Sequence, residues 1–80
     1  MAYAWMNLGS AYGHLGQYSK ALEAGQEAVR LDPQDAEAWG NLGITYCWLG
    51  RREKAIEVYQ HLRELDPDVA EKLFKACIVR

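Results

Sequence analysis

The side chains able to do chemistry in this 80-residue chain are few and poorly spaced for it. His14, His61, Cys47 and Cys77 are the residue types that bind zinc, yet they form no Cys-x-x-Cys or His-x-x-x-His arrangement that would bring two ligands to one ion. No metal site is expected. Neither cysteine has an adjacent basic residue to make it reactive, so a catalytic reading would rest on His14 and Cys47 alone. Arg51-Arg52-Glu53-Lys54 gathers positive charge at a predicted helix start, where it opposes the macrodipole; it reads as a solvated turn rather than a phosphate site. Glu27 and Arg30, three apart, read as an ordinary solvated helix face. The chain has no Gly-rich phosphate loop, no Ser or Cys nucleophile motif and no paired-carboxylate arrangement. A chain of 9.1 kDa also has little interior in which to shield a catalytic pocket. The expectation is a protein that is not an enzyme and carries no cofactor.

Nine basic residues against eleven acidic ones give a net charge of −2, which offers no attraction to nucleic acid or to an anionic membrane surface. No apolar run approaches the roughly 18 to 20 residues that span a bilayer, and MAYAWMNLGS lacks the basic start and apolar stretch of a secretory signal. The chain as given is expected to be soluble, without membrane insertion and in the cytoplasm. Two cysteines are too few for a small disulfide scaffold, and the sequence gives no ground for pairing them. Cys77 reads as a small core residue and Cys47 as a groove or helix-surface thiol, which fits a reducing compartment.

The elements that position these residues come from an internal repeat. Shifting the chain by 34 positions aligns 2–35 with 36–69, and 16 of the 34 pairs are identical, where chance would give two or three. The identities include Trp5 with Trp39, Asn7 with Asn41, Leu8-Gly9 with Leu42-Gly43, and Tyr12 with Tyr46. Leu15-Gly16 also matches Leu49-Gly50, Lys20-Ala21 matches Lys54-Ala55, and Leu31-Asp32-Pro33 matches Leu65-Asp66-Pro67. A period of this length marks a helix–turn–helix solenoid unit too small to bury its apolar face alone.

Within each unit the apolar spacing is helical. Trp5, Leu8, Tyr12 and Leu15 fall on one face, and Trp39, Leu42, Tyr46 and Leu49 repeat it. Gly16 and Gly50 close these stripes as residues able to take positive φ, and Pro33 and Pro67 stop the second helix of each unit. The inner side of that second helix is expected to carry Ala21, Leu22, Ala28 and Leu31, then Ala55, Ile56, Tyr59, Leu62 and Leu65. Five helices are predicted, over 2–15, 18–31, 36–49, 52–65 and 69–79, the last capped by Asp68. Gly9 and Gly43 lie inside helices, where each costs about 1 kcal/mol relative to alanine; close approach of the partner helix at Ala21 and Ala55 would explain them.

These residues resemble the tetratricopeptide repeat. Its pattern of Trp, Leu-Gly, Tyr, Ala, an aromatic, Ala and Pro is met by Trp5, Leu8-Gly9, Tyr12, Ala21, Ala28 and Pro33, then by Trp39, Leu42-Gly43, Tyr46, Ala55, Tyr59 and Pro67. Gly25 stands where the family has an aromatic, which should loosen the first hairpin; Leu62 stands where it has a small residue and should fill a neighbouring gap. The resemblance implies one all-α domain over 1–80: an α-solenoid of two antiparallel helix hairpins, 2–35 and 36–69, plus a closing helix or the start of a third repeat over 70–80.

The resemblance also implies a site. In the family the first helices of successive repeats line a concave groove that holds a peptide or a partner's helix. By register the groove here takes Tyr3, Met6, Asn7, Ser10, Gly13 and His14 from the first unit. It takes Glu37, Gly40, Asn41, Ile44, Cys47 and Trp48 from the second, then Glu71, Phe74, Lys75 and Ile78 from the last helix. An asparagine amide both donates and accepts, so Asn7 and Asn41 suit an extended peptide backbone. Met6 and Glu71 occupy two positions where chaperone-tail-binding relatives carry lysine, and only Lys75 is basic, which argues against that ligand. Two functions stay open. One is a protein–protein interaction module binding a peptide or helix in the groove. The other is a self-assembling fragment of a larger repeat scaffold, dimerising or swapping helices.

Overall fold

The computed structural model describes residues 2–78, with side chains from Ala4 to Cys77. Tyr3, Ile78 and Arg80 therefore lie outside the residues whose side chains are described. Five α-helices run in order: α1 Ala2–His14, α2 Tyr18–Leu31, α3 Ala36–Trp48, α4 Arg52–Leu65 and α5 Pro67–Leu73, the last continuing into a π-helical turn at Phe74–Ile78. There is no strand among the described residues. Helices α1 and α2 form one antiparallel hairpin, α3 and α4 a second stacked on it through α2, and α5 packs against both helices of the second.

The hairpin turns follow from two glycines. Gly16 and Gly50 sit at φ +78° and +74°, a conformation that side chains oppose. Each lets the next amide turn back: Gln17 N–H donates to the Tyr12 carbonyl at 2.9 Å and Arg51 N–H to that of Tyr46 at 2.8 Å, which satisfies carbonyls the helix end would leave free. Between the hairpins Asp35 caps α3 by accepting the Glu37 amide, and the Trp39 indole donates to the Pro33 carbonyl at 2.8 Å.

Alanine dominates the seams. Ala21, Ala24 and Ala28 of α2 and Ala55 of α4 are buried, and Leu62 and Leu73 are the largest side chains enclosed completely. Gly25, the departure from the family pattern, faces the next repeat. Its missing side chain leaves room for Leu42 of α3, whose Cδ1 would lie 3.3 Å from an added Cβ. The two helix-interior glycines part company too. Gly9 faces α2, at the Ala21 carbonyl and Ala24, whereas Gly43 meets Val58 of α4 and, closer still, Leu73 of α5. The first apolar stripe also differs from the second. Leu42 is 3% exposed against α2, but its repeat equivalent Leu8 is 40% exposed and Leu15 is 70% exposed, because no described element packs over that face of α1.

The last helix starts earlier than its repeat register predicts. Asp66, not Asp68, is the N-cap, accepting the amides of Asp68 and Val69, and Pro67 occupies the first turn, where its lack of an N–H costs nothing. Asp35 has no counterpart, since Val69 stands at its position, so the chain enters α5 directly from α4. Val69 then lies against Gly40 and Leu73 against Gly43, four residues apart on one face of α5, three apart on α3.

Candidate functional site

Helix α3 forms the spine of the predicted groove, with α1 on one side and α5 on the other. On the α1 side a cavity of about 190 Å³ is lined by Met6, Ser10 and His14 from α1 and by Asn41, Ile44 and Trp48 from α3, over a floor of α2 that includes Gly25 and Ala28. Six residues assigned to the groove by register therefore meet around one hollow. Small residues on α2 keep the floor low, so the hollow exists because α2 has no bulk at Ala21, Gly25 and Ala28. Met6 is buried, whereas Ser10 is half-buried and His14 exposed. Asn7 is exposed and does not line the cavity, whereas its repeat equivalent Asn41 is half-buried within it.

The hollow's polar groups are few and mostly fixed. His14 Nδ1–H donates to the Ser10 backbone carbonyl at 2.8 Å, which places the proton on that nitrogen and orients the ring. Thr45 donates its hydroxyl to the Asn41 carbonyl at 2.9 Å, so the one buried polar side chain among the described residues is satisfied internally. The Asn41 amide makes no side-chain hydrogen bond within the protein among those described, which leaves both its donor and its acceptor for a ligand. At one end the Trp48 indole lies over Gly13, where a Cβ would overlap the ring, and beside Tyr18 with ring centroids 5.3 Å apart. It is 43% exposed, an apolar wall with one wet edge.

On the other side of α3, Glu37, Gly40, Asn41 and Ile44 border a second hollow completed by Val69, Lys72, Leu73 and Ala76 of the last helix. The last helix thus contributes different residues from those expected. Phe74 faces α4, stacked on Tyr59 with centroids 5.2 Å apart, and Lys75 pairs with Glu71 at 2.8 Å on the outer surface. The physical reason is the early start at Asp66 and the seating of Val69 and Leu73 on the glycines of α3. Together they turn 71, 74 and 75 away from the hollow. Lys72 lines this hollow instead of Lys75, a placement legible only if Asp66-Pro67 had been read as a helix start as well as a stop.

The cysteines correct the expectation of two free thiols. Cys47 and Cys77 are disulfide-bonded, with Cα atoms 6.2 Å apart, and both are half-buried beside Ile44, Trp48 and Ala76. Their 30-residue separation hid the pairing. It becomes short only because α5 returns across α3 and the π-helical turn carries Cys77 over the C-terminal turn of α3. A disulfide sulfur is no nucleophile, so Cys47 supplies no thiolate beside His14. Among the described residues no three His, Cys, Asp or Glu side chains gather to hold a metal ion, and no helix is long and apolar enough to cross a membrane.

Two comparisons bear on this architecture. Residues 14–76 match the family model described as Tetratricopeptide repeat. No curated protein matches the chain.

Proposed function

The chain belongs to the tetratricopeptide-repeat family, a family of protein–protein interaction modules, and on that premise we propose that it binds a peptide or a partner's helix in the hollows flanking α3. The observation that carries this reading is the cavity bordered by Met6, Ser10, His14, Asn41, Ile44 and Trp48, apolar along most of its wall, with the Asn41 amide in its lining. Such a lining takes up an apolar side chain, while the Asn41 amide meets one peptide group of the backbone that carries it. Glu37 and Lys72 put one charge of each sign on the adjoining hollow, which gives no preference for a strongly acidic or strongly basic ligand. The reading therefore favours an apolar anchor residue over a charged tail.

Titration calorimetry against a peptide library, followed by Asn41→Ala with Trp48→Ala in one chain, tests it. The double variant should weaken every peptide found by at least tenfold; affinities unchanged for all of them would refute the groove. A second reading, self-assembly, is favoured by the exposed Leu8 of α1 and Leu15 just after it. Its check is whether the chain's mass in solution depends on concentration.

A further inference from the structure

We propose that the outer face of α1 is a homodimer interface, in which two copies of this chain pack their α1 helices antiparallel about a twofold axis. The inference rests on the self-assembly reading and gives it a location. Its first support is the charge distribution. Every Asp, Glu, Lys and Arg of the chain lies at or beyond Lys20, so α1 and its following turn carry none of them. Depletion of charge together with exposed leucine is the composition of an interface core, not of a solvated helix face.

The second support is the stripe itself. Ala4, Leu8, Ala11 and Leu15 are all exposed and follow one another at intervals of four, three and four, which keeps them on one side of the helix. Their repeat equivalents Ala38 and Leu42 are 1% and 3% exposed, covered by α2. The same stripe is thus already buried once in this molecule by a neighbouring helix. Within a second copy, the helices that cover such stripes are committed, α2 to α3 and α4 to α5. Of the four large apolar side chains exposed among the described residues, two, Leu8 and Leu15, lie on this stripe, so a second copy offers its own stripe as the matching face.

The spacing decides the arrangement. In an antiparallel pair centred between Gly9 and Ser10, Leu8 of one copy faces Ala11 of the other, and Leu15 faces Ala4. Each large side chain then meets a small one, and the two halves of the interface are identical, as a twofold axis demands. A parallel pair would instead set Leu8 on Leu8 and leave the alanines facing each other across a gap.

Sedimentation equilibrium of the full chain at micromolar to millimolar concentrations tests the interface. The wild type should approach twice the 9.1 kDa chain mass. Leu8→Glu and Ala11→Lys, each at an exposed position, should sediment as single chains with unchanged circular dichroism. An equimolar mixture of the two should regain the double mass, because residue 8 of one copy faces residue 11 of the other. A wild type that stays at one chain mass overturns both this interface and self-assembly. A Leu8→Glu chain that still doubles, or a mixture that stays monomeric, overturns the α1 pairing while self-assembly by another face survives. A mass rising beyond two chains overturns the twofold. Asn41→Ala with Trp48→Ala should leave the mass unaltered, so the result is independent of the groove.

Discussion

Gly9 and Gly43 occupy the same position of the two repeats, yet replacing each by alanine should move stability in opposite directions. A glycine inside a helix costs about 1 kcal/mol relative to alanine, so both substitutions begin with that gain. At Gly9 the new Cβ would sit 3.4 Å from the Ala21 carbonyl oxygen and from the Ala24 Cβ, an ordinary contact that leaves the gain intact. At Gly43 it would sit 2.6 Å from Leu73 Cδ2 and 3.1 Å from Val58 Cγ1, and Leu73 is only 2% exposed, so its side chain has nowhere to turn. Overpacking of this kind costs about 1–3 kcal/mol, which offsets the propensity gain and leaves a net loss of about 1 kcal/mol. At roughly 4–8 °C per kcal/mol for a domain this small, the Gly9→Ala chain should melt roughly 10 °C above the Gly43→Ala chain. Thermal unfolding followed by circular dichroism, under non-reducing conditions and at one concentration, measures this directly. Equal shifts of the same sign would refute the reasoning, since propensity alone would then account for both.

The disulfide closes a loop with a separation of 30 residues, for which the chain-entropy model gives about 3–4 kcal/mol of stabilisation. Urea unfolding of Cys47→Ser with Cys77→Ser should match that of the wild type under reductant, and both should fall below the oxidised wild type. Asp66→Ala removes the acceptor for the amides of Asp68 and Val69 and should cost about 1 kcal/mol, read as a lower urea midpoint with α5 amides exchanging first. The acid limb of stability should be slightly steeper because of two exposed pairs. The hydrogen bond from Arg30, helped by its charge, holds the Glu27 carboxyl below its ordinary 4.5, and Lys75 does the same for Glu71. A carboxyl lowered in the folded chain contributes stability above that ordinary value and loses it as pH falls through the folded one. Glu27→Gln with Glu71→Gln should therefore lower the urea midpoint slightly at neutral pH, converge on the wild type as pH falls through the folded values below 4.5, and differ less from it in high salt.

The repeat made most of the fold legible. Gly16, Gly50, Pro33 and Pro67 punctuate the chain so strongly that four helices begin and end within a residue or so of their predicted bounds. The α1 and α3 lining of the first hollow was legible for the same reason, because a 34-residue period carries side-chain direction with it. What the period could not convey was where it fails. Val69 stands where the repeat has Asp35, the cap is Asp66, and Val69, Lys72, Leu73 and Ala76 line the second hollow in place of Phe74, Lys75 and Glu71. The Cys47–Cys77 pairing joins residues 30 apart in sequence, a distance the 34-residue period does not report. The partner of Leu42 was hidden differently: Gly25 reads as a missing aromatic when the hairpin is considered alone, and as a socket once the next repeat is stacked upon it.

The disulfide also makes the chain mechanically uneven. Cys47 and Cys77 enclose the whole of α4 in a covalent ring, so tension applied to the two ends passes through the sulfur bridge and bypasses the 30-residue separation between them. Pulled under oxidising conditions, α1, α2 and most of α3 pay out as extended chain while α4 bears no load. Reduction releases a further length on the order of 100 Å, taking about 3.5 Å for each extended residue. Helices α4 and α5 are thus a length of chain held in reserve, and the redox state of one bond determines whether force can reach it.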